Sequence, residues 1–212
     1  EKNTAPAILA ACLYEFKKNP KSIILVSPSD HVIPDTKEFH NMIFAGLSEI
    51  NKGNIVTFGI VPSRPDTGYG YLELTNTTGK KSTKLSRFIE KPDIELAKTM
   101  IESGNYLWNA GLFMFYAKDM ITAFEKYMPQ TIPFVSKSLD NGKNDLDFFR
   151  LELESWQKCE NISIDYAIME HATNLSVIPF NKKWSDLGDW DAVWDEMNPN
   201  KDGVATSQNA FS

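Results

Sequence analysis

Five short groups of residues in this chain carry side chains suited to chemistry, and each stands at the end or at a break of an apolar run. Ser29-Asp30-His31 follows the aliphatic run that begins at Ile23. An acid delivered beyond the carboxyl end of a buried strand holds a divalent cation or a substrate hydroxyl, or else caps a turn. His31 decides nothing alone, because structural histidines outnumber catalytic ones. Thr67-Gly68-Tyr69-Gly70-Tyr71 offers glycines that let backbone N–H groups approach a ligand, although a plain loop has the same composition. Glu90-Lys91-Pro92 sets opposite charges at a strand end stiffened by proline. A lysine there suits a phosphate as a point charge, with a surface ion pair as the alternative. Asn109-Ala110-Gly111 interrupts an aromatic run, and its amide can read sugar hydroxyls with both donor and acceptor atoms. A glycine inside a strand also marks a bulge or a close approach to backbone. Trp184-Ser185-Asp186-Leu187-Gly188 places a second acid between a polar turn and a glycine. Asp165, in Ile164-Asp165-Tyr166-Ala167, faces a ligand or caps a short helix.

These groups need a scaffold, and the apolar pattern supplies one. Asn3 or Thr4 caps a first helix with Pro6 in its first turn and Leu9, Cys12, Leu13 and Phe16 along one stripe. Residues 23–27 lack alternation and read as a strand buried on both faces, the mark of the centre of a parallel sheet. Asp35 and Glu38 form a capping box for a second helix, with the stripe Phe39, Met42, Ile43, Leu47 and Ile50, and Gly53 stops it. Ile55–Ile60 is a second buried strand, making a strand–helix–strand crossover. Two short strands are expected around the turn Thr77-Thr78-Gly79-Lys80, the second spanning about 84–89. A helix follows Pro92 and Asp93 and stops near Gly104. Residues 106–116 form an aromatic strand, and 117–158 read as mainly helical with a polar break at 140–144. A short helix at 164–171, a strand at 175–180 and a closing helix at 189–196 complete one α/β domain.

The composition bounds the function. The chain has 212 residues, 42% hydrophobic and 24% charged, enough for one α/β domain with a sizeable core. A net charge of -6 argues against broad nucleic-acid binding. An anionic ligand would therefore need positive charge recruited locally, from a metal or a few placed lysines. No apolar run approaches membrane-spanning length. Cys12 and Cys159 lie far apart without CxxC spacing, which reads as thiols of a reduced, cytoplasmic protein.

The ordered set NTAPAI, SPSDHVI, TGYGY, FIEKP, WNAGLFMF, IDYAIME and WSDLGDW, from Asn3 to about Trp194, resembles the bacterial mannose-1-phosphate guanylyltransferases of the sugar-nucleotide pyrophosphorylase superfamily. The resemblance implies an α/β, Rossmann-like nucleotide-diphospho-sugar transferase fold with a mixed, mostly parallel central sheet flanked by helices. It implies GTP and mannose 1-phosphate as substrates, GDP-mannose and pyrophosphate as products, and Mg²⁺ or another divalent cation as cofactor. By motif position, Asp30 and Asp186 would be the metal carboxylates and Lys91 would neutralise the sugar phosphate. Glu90, Asn109 and Asp165 would take mannose hydroxyls, with Gly68, Tyr69, Gly70 and Ala110 lining the same pocket. Asn3, Thr4, Ala5 and Ser29 would lie beside the nucleotide. Neither nucleic acid nor membrane is an expected partner, and a homodimer is one arrangement the family admits.

The departures from the family pattern carry expectations of their own. The family's Gly-rich phosphate loop lies upstream of Asn3 in that pattern and is absent from these residues. Residues 1–197 are therefore expected to form a nucleotidyltransferase core lacking that loop, inactive alone, with 198–212 a linker towards a further segment. Lys2 stands where an Arg commonly precedes the Asn-Thr-Ala-Pro run. Asp189 replaces a usual Ser and would add negative charge near Asp186. The other readings are the same fold acting on another hexose 1-phosphate, or a non-catalytic regulatory homologue that binds sugar nucleotide.

Overall fold

A computed structural model describes residues 2–75, 82–188, 190–197 and 199–206. The expected turn at 77–80 and Asp189 lie outside the described residues. The elements in chain order are α1 (Thr4–Lys18), β1 (Ile23–Val26), α2 (Thr36–Ile50), β2 (Ile55–Ile60), β3 (Tyr71–Leu74), β4 (Thr83–Ile89), α3 (Ile94–Ser103) and β5 (Tyr106–Tyr116). There follow α4 (Ala117–Tyr127), a 3-10 turn (Pro129–Thr131), α5 (Ile132–Asp140), β6 (Lys143–Asp145), β7 (Phe148–Arg150) and α6 (Leu153–Gln157). A π-helical turn (Asp165–Met169), β8 (Leu175–Phe180) and α7 (Trp190–Glu196) close the order.

The helix starts follow the capping chemistry. Asn3 accepts from the Thr4 N–H, Asp35 from the Glu38 N–H and Asp93 from the Leu96 N–H. Gly104 ends α3 in the left-handed conformation that glycine adopts without steric cost. Residues 117–158 are mainly helical, as expected, with α5 ending at the polar break. The unexpected element is a two-stranded hairpin, β6–β7, which begins within that break.

The main sheet runs β1-β5-β2-β8-β4-β3, and β3 also pairs with β5, so five strands close into a ring with β1 attached outside it. The expectation of a mostly parallel sheet is corrected here: among the described pairings of this sheet only β2–β8 is parallel. Continuous apolar strands report burial on both faces, which helices on both sides supply whatever the strand direction. One apolar layer gathers α1, α4 and α5 residues such as Leu9, Phe124 and Val135. The other gathers Met42 and Ile50 of α2 with Ala97 and Met100 of α3. The long strand β5 feeds both, Phe113 and Phe115 to the first and Leu112 and Met114 to the second.

β1 is also corrected, from a central strand to an edge strand. It pairs with β5 alone, and Ile23 and Leu25 keep 44% and 40% of their surface. The β1–α2–β2 crossover places β1 and β2 on opposite sides of β5, both antiparallel to it. Cys12 and Cys159 are free and buried, and burial pushes the Cys12 thiol up to about 12. Among the described residues no helix is long and apolar enough to cross a membrane.

Candidate active site

The site is an interruption in the pairing of β5. On one side of β5, β1 covers residues 113–116 and β3 covers 106–108. Both run antiparallel to β5, so they lie end to end, with the carboxyl end of β1 facing the amino end of β3. Residues 109–112 occupy the gap. On the other side, Thr57 pairs with Phe113 and Gly59 with Asn109, so Phe58 alone stands opposite Ala110–Leu112. β5 therefore bulges at the Asn-Ala-Gly break, where Gly111 has a φ of +67°. That conformation favours glycine, and bulges commonly redirect a side chain.

The bulge aims Asn109. Its Oδ1 accepts from the Thr57 hydroxyl (2.9 Å) and the Gly111 N–H (3.2 Å), and its Nδ2 donates to Asp165 (3.2 Å). Thr57, the single polar side chain of β2, thereby sets which end of the amide faces which partner. The Asn109 N–H also donates to the Gly70 carbonyl at 2.7 Å, seating the glycine loop on β5. A Cβ on Gly70 would lie 2.6 Å from Glu90 Oε2 and 3.3 Å from the Asn109 Cβ, so any larger residue there would displace the Glu90 carboxylate.

Glu90 and Asp165 stand beside this loop. The Glu90 side chain is 8% exposed and its Oε1 meets Lys91 Nζ at 3.2 Å. Burial, and then the charge of Asp165, push Glu90 above the usual glutamate value, against the pull of Lys91. Burial also raises Asp165, against backbone hydrogen bonding, the charge of Lys91, and bonds from Ser163 and Asn109. Lys91 has a φ of +48°, a conformation uncommon for a residue with a side chain. The Glu90 N–H donates to Glu170 at 3.1 Å, which holds the strand end in place.

The second acid arrives from the loop after β8. Val32 and Ser185 exchange two backbone hydrogen bonds of 2.8 and 3.1 Å, which join the Asp30 loop to the Asp186 loop. Asp186 Oδ1 accepts from the Tyr69 hydroxyl (2.9 Å) and the Gly188 N–H (3.2 Å). Leu187, at a φ of +50°, makes the turn between them. Tyr69 packs between Trp108 and Trp184, at centroid distances of 4.9 and 5.6 Å. Trp184 donates its indole N–H to His31 Nδ1 at 3.3 Å and meets the imidazole edge-on. Burial lowers the His31 pKa, against the opposing pull of Asp30 and Asp186.

A cavity of about 180 Å³ collects these groups. Its lining includes Gly68, Tyr69, Gly70, Glu90, Asn109, Ala110, Asp165 and Asp186, together with Pro28, His31, Gly111 and Trp184. Ser29 and Asp30 are exposed on the adjoining loop, outside this lining. Lys91 meets the cavity through its ion pair with Glu90. Asn3, Thr4 and Ala5 lie behind Asp165, at the head of α1. Thr4 Oγ1 accepts from the Ile164 N–H (2.8 Å), and the Asn3 and Ala5 N–H groups donate to Asn161 and Ile162. They anchor the segment that presents Asp165. Sequence reasoning passed over Thr57, although it was detectable as a polar residue inside an otherwise apolar strand. Trp184 and Glu170 fell within quoted motifs but received no role, because their partners His31 and Glu90 lie far off in sequence.

A larger cavity of about 510 Å³ shares the wall of Tyr69, Trp184 and Asp186. Its charges are mixed, Arg64, Lys182 and Lys183 against Asp186, Asp191 and Glu196, and it lacks the converging carboxyls and amide of the smaller one. Among the described residues no cluster of three acidic, histidine or cysteine side chains could cage a metal. Two carboxylates from bridged loops suit a hard cation that fills its other positions with phosphate oxygens and water.

The model of the nucleotidyl transferase family matches residues 1–202. The chain belongs to that family. Its curated relatives include a mannose-1-phosphate guanylyltransferase of Sinorhizobium fredii, 39% identical over 95% of this chain and 40% of that protein. Another is the xanthan biosynthesis protein XanB of Xanthomonas campestris, 37% identical over 96% of this chain and 43% of that protein. The chain thus spans about two-fifths of the length of these relatives. Among solved structures it is similar to one described as a mannose-1-phosphate geranyltransferase from Thermus thermophilus, with a TM-score of 0.80 and 29% identity, covering 94% of this chain and 56% of that one. A structure described as mannose-6-phosphate isomerase from Helicobacter pylori matches with a TM-score of 0.78 and 32% identity, covering 87% and 70%. In this nucleotidyl transferase the bulge, the glycine loop and the two bridged acidic loops meet at one place.

Proposed function

We propose that this nucleotidyl transferase takes mannose 1-phosphate into the cavity at the β5 bulge and joins it to the guanylyl group of GTP, giving GDP-mannose and pyrophosphate. The observation that carries this reading is the convergence of Glu90, Asp165 and the Asn109 amide over a glycine that leaves room for a ring. Paired carboxyls and an amide match the hydroxyls of a hexose, whose oxygens both donate and accept. The names of the relatives supply the sugar and the nucleotide.

The reaction needs little proton chemistry. A sugar-phosphate oxygen, already anionic at neutral pH, forms a bond to the α-phosphorus of GTP, and the bond to the β-phosphate oxygen breaks with its electron pair. Catalysis is then alignment and charge neutralisation. Asp30 and Asp186 would hold a divalent cation such as Mg²⁺, which supplies charge neutralisation for the phosphates when bound. Glu90 and Asp165 accept hydrogen bonds from the ring hydroxyls and orient the ring. Lys91 neutralises the sugar phosphate, and Ser29 with the exposed Asn3 lies on the nucleotide side. Xanthan and related surface polysaccharides are a fitting use of the product.

The test is pyrophosphate release by the whole protein from GTP and mannose 1-phosphate with Mg²⁺. Asp30→Asn and Asp186→Asn should each lower kcat at least about 100-fold, as expected for loss of a metal carboxylate. Turnover within tenfold of wild type in both variants, or isomerisation of mannose 6-phosphate without nucleotide consumption, would overturn the proposal.

A further inference from the structure

His31 presents the cavity with a hydrogen-bond donor that no role above uses. An indole N–H only donates, so the 3.3 Å contact from Trp184 requires His31 Nδ1 to act as an acceptor. An imidazole with a bare Nδ1 is neutral and carries its proton on Nε2. That Nε2–H has no partner among the described residues, and His31 lines the cavity. Trp184 holds the ring from one side, meeting it edge-on at 5.3 Å as well as through the hydrogen bond. The Val32–Ser185 bridge also holds its loop to that of Trp184.

The surrounding groups determine what this donor can meet. The Glu90 and Asp165 end of the cavity is acidic and suits neutral hydroxyls. His31 lies near enough to Asp30 and Asp186 for both carboxylates to act on it, so a sugar phosphate held between Lys91 and a cation on those carboxylates would come within its reach. A fixed N–H there meets an anionic oxygen without adding charge that would compete with the cation for the carboxylates.

We propose that His31, locked by Trp184 as the Nε2–H tautomer, donates a hydrogen bond to a phosphoryl oxygen of the sugar 1-phosphate and so is a binding residue of the reaction. This rests on the sugar-phosphate reading above. The contact persists from the bound ground state through the transfer, so its loss raises KM for the sugar phosphate and leaves kcat nearly unchanged.

The experiment measures KM and kcat of the whole protein for mannose 1-phosphate at saturating GTP and Mg²⁺, with thermal midpoints of each variant. His31→Ala should raise KM about 10- to 100-fold, the range for a lost hydrogen bond to a charged group. Glutamine places an amide N–H near the Nε2 position and should restore KM to within about fivefold of wild type, as a retained donor predicts. Asparagine, whose amide reaches only to the Nδ1 position, should stay as impaired as alanine. If His31→Ala fails to fold, the glutamine and asparagine pair decides. Equal KM values for those two variants, or a His31→Ala KM within twofold of wild type, overturn the inference and leave the proposed function standing. A wild-type protein that does not use mannose 1-phosphate overturns both.

Discussion

Replacing Gly70 with alanine tests the packing of the proposed sugar cavity at a single carbon atom. The added Cβ would lie 2.6 Å from Glu90 Oε2, 3.2 Å from Phe88 Cζ and 3.3 Å from the Asn109 Cβ. Gly70 is not in the left-handed region, so the substitution tests space rather than backbone strain. Phe88 and Asn109 are buried, which leaves the Glu90 carboxylate to retreat from 2.6 to about 3.4 Å, away from its hydroxyl-reading position. Overpacking of this kind costs about 1–3 kcal/mol. Taken from sugar recognition, that is a roughly 5- to 150-fold higher KM for mannose 1-phosphate. Because a side-chain end can yield, global stability should fall by less than about 1 kcal/mol, a midpoint shift under about 4 °C for a chain of this size. Gly68→Ala is the companion: its Cβ meets only Asp66 Oδ1, at 3.2 Å, and its KM should stay within about threefold of wild type, since that contact relaxes easily. Steady-state kinetics and differential scanning fluorimetry supply both readouts. A Gly70→Ala KM within twofold of wild type, or equal damage from both alanines, would refute the argument.

The other expectations follow from the same contacts. Asp165 is raised by burial, so the folded state holds its proton more tightly than the unfolded chain. Its ionisation therefore costs stability fully above the raised pKa, and that cost disappears as pH falls to the ordinary value near 3.8. Asp165→Asn should gain stability relative to wild type as pH rises from 4 to 7, and a pH-independent gap in melting temperature would contradict this. Glu49 behaves in the opposite sense. Burial alone would raise it, but hydrogen bonds from Lys52, Ser82, Asn54 and Ser176 together outweigh burial and lower its pKa. Its contribution is present above the ordinary value of 4.5 and is lost as pH falls through the lowered one. Glu49→Ala leaves those donors without their acceptor and should destabilise the protein by about 1–3 kcal/mol at pH 7, less in acid, in urea unfolding. Thr4→Val removes the acceptor of the Ile164 N–H and should cost about 1–2 kcal/mol while raising KM for the sugar phosphate, because Asp165 follows that anchor. An unchanged midpoint and KM would show that the anchor is dispensable.

Much of the scaffold was legible because it depends on local chemistry. Asp35 was readable as a cap, Pro92 and Asp93 as a helix start, Gly104 as a stop, Ile55–Ile60 as a buried strand and Leu175–Phe180 as a strand. Strand direction was not readable. Nothing in the apolar run 23–27 distinguishes a parallel from an antiparallel neighbour, or a central place from an edge, because both follow from which distant strand pairs with it. The β6–β7 hairpin was missed for a related reason, since its six strand residues are short of any period and half of them are charged. Glycine within an aromatic strand did announce the bulge. The partners that aim the bulge, Thr57 and Asp165, come from β2 and the π-helical turn, and only the fold brings them to Asn109. Thr4 and Ala5 show the same limit: their hydrogen bonds to residues 162–164 depend on a segment about 160 residues away.

The central claim is that one cavity, at the gap along β5 between β1 and β3, receives the hexose. A crystal structure of the whole protein with GDP-mannose and Mg²⁺ tests it most directly. The account predicts the mannose ring over Gly70, with hydroxyls on Glu90 and Asp165, and the cation on Asp30 and Asp186. A hexose seated instead in the neighbouring 510 Å³ cavity, beyond Tyr69 and Trp184, would contradict it.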